Sequence, residues 1–225
     1  MQRFGYILLL VTTLLLPHVA RAGALFPDVY DSQPVVTALA YLQERNVIKG
    51  YPDGTFQPRR PINRAEFSKM IIEGALGITP AAREYKNCFP DVGVQWFAKY
   101  VCYAATQKWI QGYADGTFKP ADNITRAEAV KIMATAFGWT LTNENSLSIF
   151  MDSGEPTDWY RDYIRMAEER NLFDTLDQYI SPHELLTRAQ VAELVHRAMK
   201  EKTGEAFTTW KIEHTKQGSV PDYRE

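Results

Sequence analysis

Three short stretches of this chain place an arginine where a helix should begin: Ile62, Asn63, Arg64, Ala65, Glu66; Ile124, Thr125, Arg126, Ala127, Glu128; and Leu186, Thr187, Arg188, Ala189, Gln190. Each pairs a capping residue (Asn63, Thr125 or Thr187) with Glu66, Glu128 or Gln190 three positions on. In that reciprocal pattern each side chain satisfies an orphan backbone N–H of the other residue. Arg64, Arg126 and Arg188 are then first helical residues, beside unpaired N–H groups and the positive end of the helix dipole. An approaching carboxylate meets several donors there at once, so the chemistry expected is an anion clamp. The plainer alternative is an arginine whose stem merely packs over the helix start. Repetition favours the clamp, because a cap needs its Thr and Glu but no arginine between them.

The three arginines stand 62 and again 62 residues apart, a period that identifies an internal repeat. Phe26, Pro27, Asp28, Val29 returns as Phe89, Pro90, Asp91, Val92 and more loosely as Phe150, Met151, Asp152. The run from Gly50 and Tyr51 through Asp53, Gly54, Thr55 and Phe56 to Pro58 returns from Gly112 and Tyr113 to Pro120. The third copy keeps Asp177, Tyr179, Ile180 and Pro182 in register. Residues 25–78, 88–140 and 149–204 are thus three units, followed by a polar tail over 205–225 in which Phe207, Trp210 and Ile212 are the obvious docking residues.

Each unit reads as helix, turn, helix, an all-α pattern. The first helix begins near Pro34 in unit one, with Val36, Leu39, Ala40 and Val47 on roughly one face; in unit two it runs from about Trp96 to Trp109. In unit three Asp158 is its expected cap. Asp53 with Gly54 and Asp115 with Gly116 are turn dipeptides, and Phe56 and Phe118 beyond them should return to the core. The second helix carries Phe67, Met70, Ile71 and Leu76 in unit one, with Val130, Ile132, Met133 and Phe137, then Val191, Leu194, Val195 and Met199, at the matching places. Gly77, Gly138 and Gly204 fall where a helix ends on a left-handed residue. Such a unit cannot bury its apolar face alone, so neighbouring copies should pack together. A pseudo-threefold cluster with the capped helices near the axis and an open three-unit solenoid both satisfy that requirement.

Composition narrows the function. With 45% hydrophobic and 23% charged residues in a chain of 225, the sequence is ordinary for a globular protein. The first 22 residues carry Arg3 and Arg21 and no acid, so the remainder holds 23 basic against 27 acidic groups. Mild acidity argues against nucleic acid as a partner, since such surfaces are normally basic. Arg3, the apolar run Ile7 to Leu16, Pro17 and then Ala20, Arg21, Ala22 have the order of a secretory signal peptide over 1–22. Ten apolar residues are too few to span a bilayer, and no membrane span is expected in the mature form. The two cysteines, Cys88 and Cys102, should pair with each other in an exported chain. His18, His183, His196 and His214 lack ligand spacing, and the turn acids lack the alternation of a calcium loop, so neither metal nor cofactor is expected.

The Phe, Asp, Val start, the Gly, Tyr, any residue, Asp, Gly, Thr, Phe turn and the Ile, Thr, Arg, Ala, Glu helix start together resemble the surface layer homology, or SLH, repeat. The resemblance covers about residues 25 to 203 and is strongest in units one and two. It implies three repeats closed as a pseudo-trimer with ligand grooves between neighbours. It also implies a non-catalytic module that holds an exported protein at the cell wall, in the S-layer. The implied partner is secondary cell-wall polysaccharide or a peptidoglycan-linked glycan, commonly through a pyruvate ketal, with other S-layer or envelope proteins as further partners. Carried over, Arg64, Arg126 and Arg188 meet the ketal carboxylate. Asp28 and Asp91 either bond sugar hydroxyls or order the backbone. Gly50, Tyr51, Gly112 and Tyr113 lend backbone amides and a stacking face, and Trp96 and Trp159 a further one. Aromatics at helical spacing are usually core, however, so packing is the first reading for Trp96 and Trp159. Unit three departs from the pattern at Asp174, Thr175, Gln178 and Gln190, which points to a degenerate groove there. A structural envelope subunit without direct glycan binding, and a wall-glycan hydrolase with paired carboxylates, are the competing functions.

Overall fold

The computed structural model describes residues 25–30, 35–142, 148–173 and 179–206. Expectations for residues 1–22, Pro34, Asp174, Thr175, Asp177, Gln178, Phe207, Trp210 and Ile212 lie outside them. Among the described residues stand six helices and no β-strand: α1 Val35–Glu44, α2 Arg64–Leu76, α3 Ala98–Thr106, α4 Arg126–Phe137, α5 Arg161–Glu169 and α6 Arg188–Thr203. The fold is all-α, as the repeat pattern implies.

The even-numbered helices start as their sequences dictate. Asn63, Thr125 and Thr187 each accept the amide three residues on, and Glu66, Glu128 and Gln190 reach back to the cap amide. These helices end on Gly77, Gly138 and Gly204, at φ of 66°, 70° and 69°, where a side chain would be strained. The odd-numbered helices have weaker boundaries. α3 is shorter than expected and, like α5, has no side-chain cap. Asp158 instead accepts the Glu155 amide at 2.8 Å and closes a turn ahead of α5. In α1 the buried face is Val35, Ala38, Leu39 and Leu42, while Ala40 is exposed. At about 100° per residue, Ala40 falls well off the stripe set by Val35.

Each odd helix packs on the even helix of the preceding pair: α3 on α2, α5 on α4, and α1 on α6. α2 also touches α4 and α6. The α2–α6 approach is close enough that a Cβ at Gly74 would lie 2.7 Å from a Val195 methyl. The α1–α6 contact joins the two ends of the array, so the layout is not an open one. The segments leading into the even helices make the same closure in hydrogen bonds. Ile62 N donates to Leu186 O at 2.9 Å, Leu186 N to Ile124 O at 3.1 Å, and Ile124 N to Ile62 O at 3.1 Å. All three residues are at most 1% exposed, and a buried amide needs a partner, so the cycle satisfies each one through its neighbour. Phe56, Phe118 and Ile180 return from their turns to full burial. Cys88 and Cys102 are bonded, tying the entry loop of unit two to α3. A closed loop of this size stabilises by about 3 kcal/mol in the chain-entropy description.

Candidate functional site

The three arginines lie at the joints between units, and their backbone is already committed. Arg64 N donates to Asp122 O and Ala65 N to Pro120 O; Arg126 N and Ala127 N bond Glu184 O and Pro182 O; Arg188 N and Ala189 N bond Arg60 O and Pro58 O. With the cap taking the third amide, the helix starts have no free donors for a ligand. The amide half of the expected clamp is therefore spent on the neighbouring unit, and only the guanidinium is left for chemistry.

At two joints that guanidinium sits between aromatic rings. Arg64 Nε donates to Phe118 O at 2.9 Å, with its guanidinium carbon 4.6 Å from the Tyr113 centroid and 4.7 Å from that of Phe118. Arg188 repeats this on unit one: Nε to Phe56 O at 2.8 Å, and 4.6 Å and 4.7 Å to the Tyr51 and Phe56 centroids. Both arginines are about 5–6% exposed. Stacking on the negative ring faces offsets part of the cost of desolvating the charge. The cap glutamate of the neighbouring unit supplies an anion nearby: Glu128 Oε1 is 3.4 Å from Arg64 Nη1 and Glu66 Oε1 is 3.8 Å from Arg188 Nη1. Neither arginine makes a hydrogen bond through its terminal nitrogens among the described residues. Burial pulls the Arg188 guanidinium below its ordinary range. Burial, with the bond to Glu128, pushes the Tyr113 hydroxyl up to about 12, and Tyr51 is shifted the same way.

The third joint is built differently. Ile180 stands where the others have Phe, and Gln190 where they have Glu. Arg126 Nη1 donates to the carbonyls of Ile180 and Ser181, and Nη2 pairs with Glu184 at 2.8 Å. Its nearest ring is Phe173, at 5.9 Å. Beside this joint, unit three has a cleft of about 460 Å³ whose lining includes Asp152, Asp158, Tyr160, Ser181, His183 and Glu184.

The other expected site residues divide between scaffold and surface. Asp28 accepts the Phe56 and Gln57 amides at 2.8 and 2.7 Å, Asp91 accepts those of Phe118 and Lys119 at 2.9 and 2.7 Å, and each thereby orders its turn. Asp152 does the same for Ile180 and Ser181, so the third unit keeps this link although its turn sequence differs. The amides of Tyr51 and Tyr113 close their own turns onto Thr55 O and Thr117 O, at 2.8 Å each, and are not lent outward. Gly50 and Gly112 are close-packing positions: a Cβ would meet a Phe26 ring atom at 2.9 Å in one and a Phe89 ring atom at 2.8 Å in the other. Trp96 and Trp159, read first as core, are 56% and 51% exposed. Each makes an edge contact with the next aromatic residue, Phe97 or Tyr160, and Lys131 of α4 lies over Trp159. Among the described residues no cluster of His, Cys, Asp and Glu could hold a metal, and no helix is long and apolar enough to cross a membrane.

One position was missed. Arg60, Asp122 and Glu184 each stand four residues before the helix-start arginine of their own unit, and each lends its backbone carbonyl to the amide of the arginine in the preceding unit of the ring. The constant four-residue offset was a signal available in the sequence. Because the type changes from basic to acidic, the position does not show up as a shared motif.

Two segments, residues 25–68 and 89–130, match the S-layer homology domain family. These two segments are S-layer homology domains. Similar proteins include a cellulosome-anchoring protein of Acetivibrio thermocellus, 36% identical over 110 residues, which are 48% of this chain and 25% of that one. The S-layer protein sap of Bacillus anthracis is 27% identical over 205 residues, 87% of this chain and 25% of the relative. An endoglucanase of a Bacillus species is 28% identical over 177 residues, 76% of this chain and 18% of the enzyme. The chain thus spans a quarter or less of the length of these relatives.

Proposed function

We propose that this chain is an exported, non-catalytic cell-surface anchoring module that binds acidic wall glycan in the grooves between its units. On this reading residues 1–22 are its signal peptide, and the third helix pair is a further S-layer homology repeat in a pseudo-threefold arrangement. The observation that carries the proposal is the pair of ring-sandwiched guanidiniums at Arg64 and Arg188. They are fixed through Nε, and among the described residues their terminal nitrogens make no hydrogen bond, with Glu128 and Glu66 standing off at 3.4 and 3.8 Å. A carboxylate substituent on a sugar, such as a pyruvate ketal, supplies acceptors of the right charge and geometry. The exposed faces of Trp96 and Trp159 suit the apolar faces of sugar rings. The names of the cellulosome-anchoring and S-layer relatives point the same way. Of the competing functions, the structural reading is favoured at one joint only, where Arg126 is already saturated by Glu184 and two carbonyls.

The test is sedimentation with purified secondary wall polysaccharide, with and without its acidic substituents. Arg64→Lys combined with Arg188→Lys keeps the charge but loses the planar fork. It should lower affinity at least tenfold, since a charge-assisted hydrogen bond contributes about 1.5–3 kcal/mol. Urea denaturation controls for folding. Equal binding by a folded double variant, or equal binding to the stripped polymer, overturns the clamp.

A further inference from the structure

The three joints differ in charge at the position four residues before each helix-start arginine. Between units three and one, Arg188 and Arg60 face a single carboxylate, Glu66: Arg60 Nη2 donates to both Glu66 oxygens and to the Tyr51 hydroxyl, and its guanidinium carbon is 5.0 Å from the Tyr51 centroid. Asp28 is also near, but both its oxygens are taken by backbone amides. The exposed Asp53 and Arg59 of the same turn cancel. Arg60 Nε is moreover a buried donor without an acceptor among the described residues. This joint has one positive charge in excess and more donors than acceptors.

Between units one and two the balance reverses. Asp122 occupies the sequence place of Arg60 and is exposed, so Arg64 has Glu128 as its ion partner and the turn beside it carries one further negative charge, while Lys119, 4.5 Å from the Tyr113 centroid, is matched by Asp115 at 3.2 Å. Between units two and three, Arg126 is neutralised by Glu184 at 2.8 Å. An anionic group therefore meets attraction at one joint, repulsion at the second and a closed ion pair at the third. Arg64 and Arg188 are themselves buried, where solvent screening is weak.

We infer that the joint between units three and one is the principal anion-binding groove of this chain, and that Arg60 is the residue that selects it over the other two. The inference rests on the glycan-binding reading and adds to it which groove is occupied and why. Arg60 acts as a second guanidinium beside Arg188, placed where a carboxylate bound by Arg188 also reaches it, and it is half-exposed where Arg188 is not.

The experiment is isothermal titration of the full chain with acid-bearing fragments of purified secondary wall polysaccharide, too short to bridge two grooves. The wild-type protein should bind one fragment. Arg60→Asp, which copies unit two, should weaken that binding at least tenfold, and Arg60→Gln should weaken it less. Asp122→Arg should raise the stoichiometry towards two, a gain that misfolding cannot produce. Should both Arg60 variants bind within twofold of wild type, or Asp122→Arg leave the stoichiometry at one, the inference is overturned while the glycan reading stands. No binding by the wild-type chain overturns both.

Discussion

The joint holding Arg64 and the joint holding Arg126 begin from the same five-residue idea and end as different environments. Both have a Thr or Asn cap, a first-turn arginine and a neighbouring turn whose carbonyl receives the helix-start amide. At Arg64 the neighbour offers Tyr113 and Phe118, and the guanidinium carbon lies over both rings at 4.6 and 4.7 Å. At Arg126 the neighbour offers Ile180 and Glu184, and the guanidinium turns to a carboxylate and two carbonyls. The helix-start motif sets where the arginine stands. Whether its charge is open to a ligand is set by residues of another unit, because only they can supply ring faces or a competing acid.

The most forceful way to break this comparison is to exchange the walls. Phe118→Ala should cost about 3–5 kcal/mol in urea denaturation, since it empties a fully buried ring site and one face of the Arg64 seat. Phe118→Ile, which copies unit three, should cost much less yet abolish the sandwich, moving the Arg64 guanidinium towards the Arg126 arrangement in a crystal structure. An Arg64 that keeps its pose in the isoleucine variant would show that the ring does not decide it.

A middle-sized effect is expected from the turn carboxylates, which are alike at the two joints. Asp91→Asn and Asp152→Asn each remove one of two charged acceptors from a pair of backbone amides, and each should lose about 1–3 kcal/mol. Losses that match within experimental error would show that the joints share a scaffold and differ only in the seat. A much smaller loss at Asp152 would extend the difference into the scaffold itself.

The smallest effect concerns the α1–α6 contact, among the described residues the one odd–even helix pairing with a histidine in its helices. His196 packs against Tyr41 with ring centroids 4.7 Å apart, and its Nε2 is buried without an acceptor among the described residues. Burial first, then Lys200, Arg197 and Arg45, pull its pKa down to about 4, with Glu205 opposing. A histidine depressed in the folded state contributes stability that is complete above its unfolded pKa of about 6.5 and is lost as pH falls through about 4. Denaturation midpoints measured from pH 7 to 4 should decline in wild type and decline less in His196→Phe. Parallel curves would remove His196 as the cause.

Features governed by nearest neighbours along the chain were legible without coordinates. The caps at Asn63, Thr125 and Thr187, the left-handed ends at Gly77, Gly138 and Gly204, and the returns of Phe56 and Phe118 to the core all appear as read. Misreadings arose where the partner is remote. Ala40 faces solvent because the stripe facing α6 starts at Val35, and Asp158 serves a turn, its carboxylate accepting the Glu155 amide and none of those that open α5. Trp96 and Trp159 follow helical spacing but stand ahead of helices that begin at Ala98 and Arg161, and so escape the core.

By itself the sequence determined the repeat, the helix-start chemistry, the position of each arginine and the cysteines able to pair, because those depend on residue type and short spacing. Tertiary structure alone decided that the amides at the helix starts are spent on the next unit, that two guanidiniums are stacked between rings and one is saturated, and that Arg60 stands beside Arg188. The reason is physical: burial, stacking and charge balance at a joint are pair properties of residues far apart in the chain, and they exist only once the ring of units has closed.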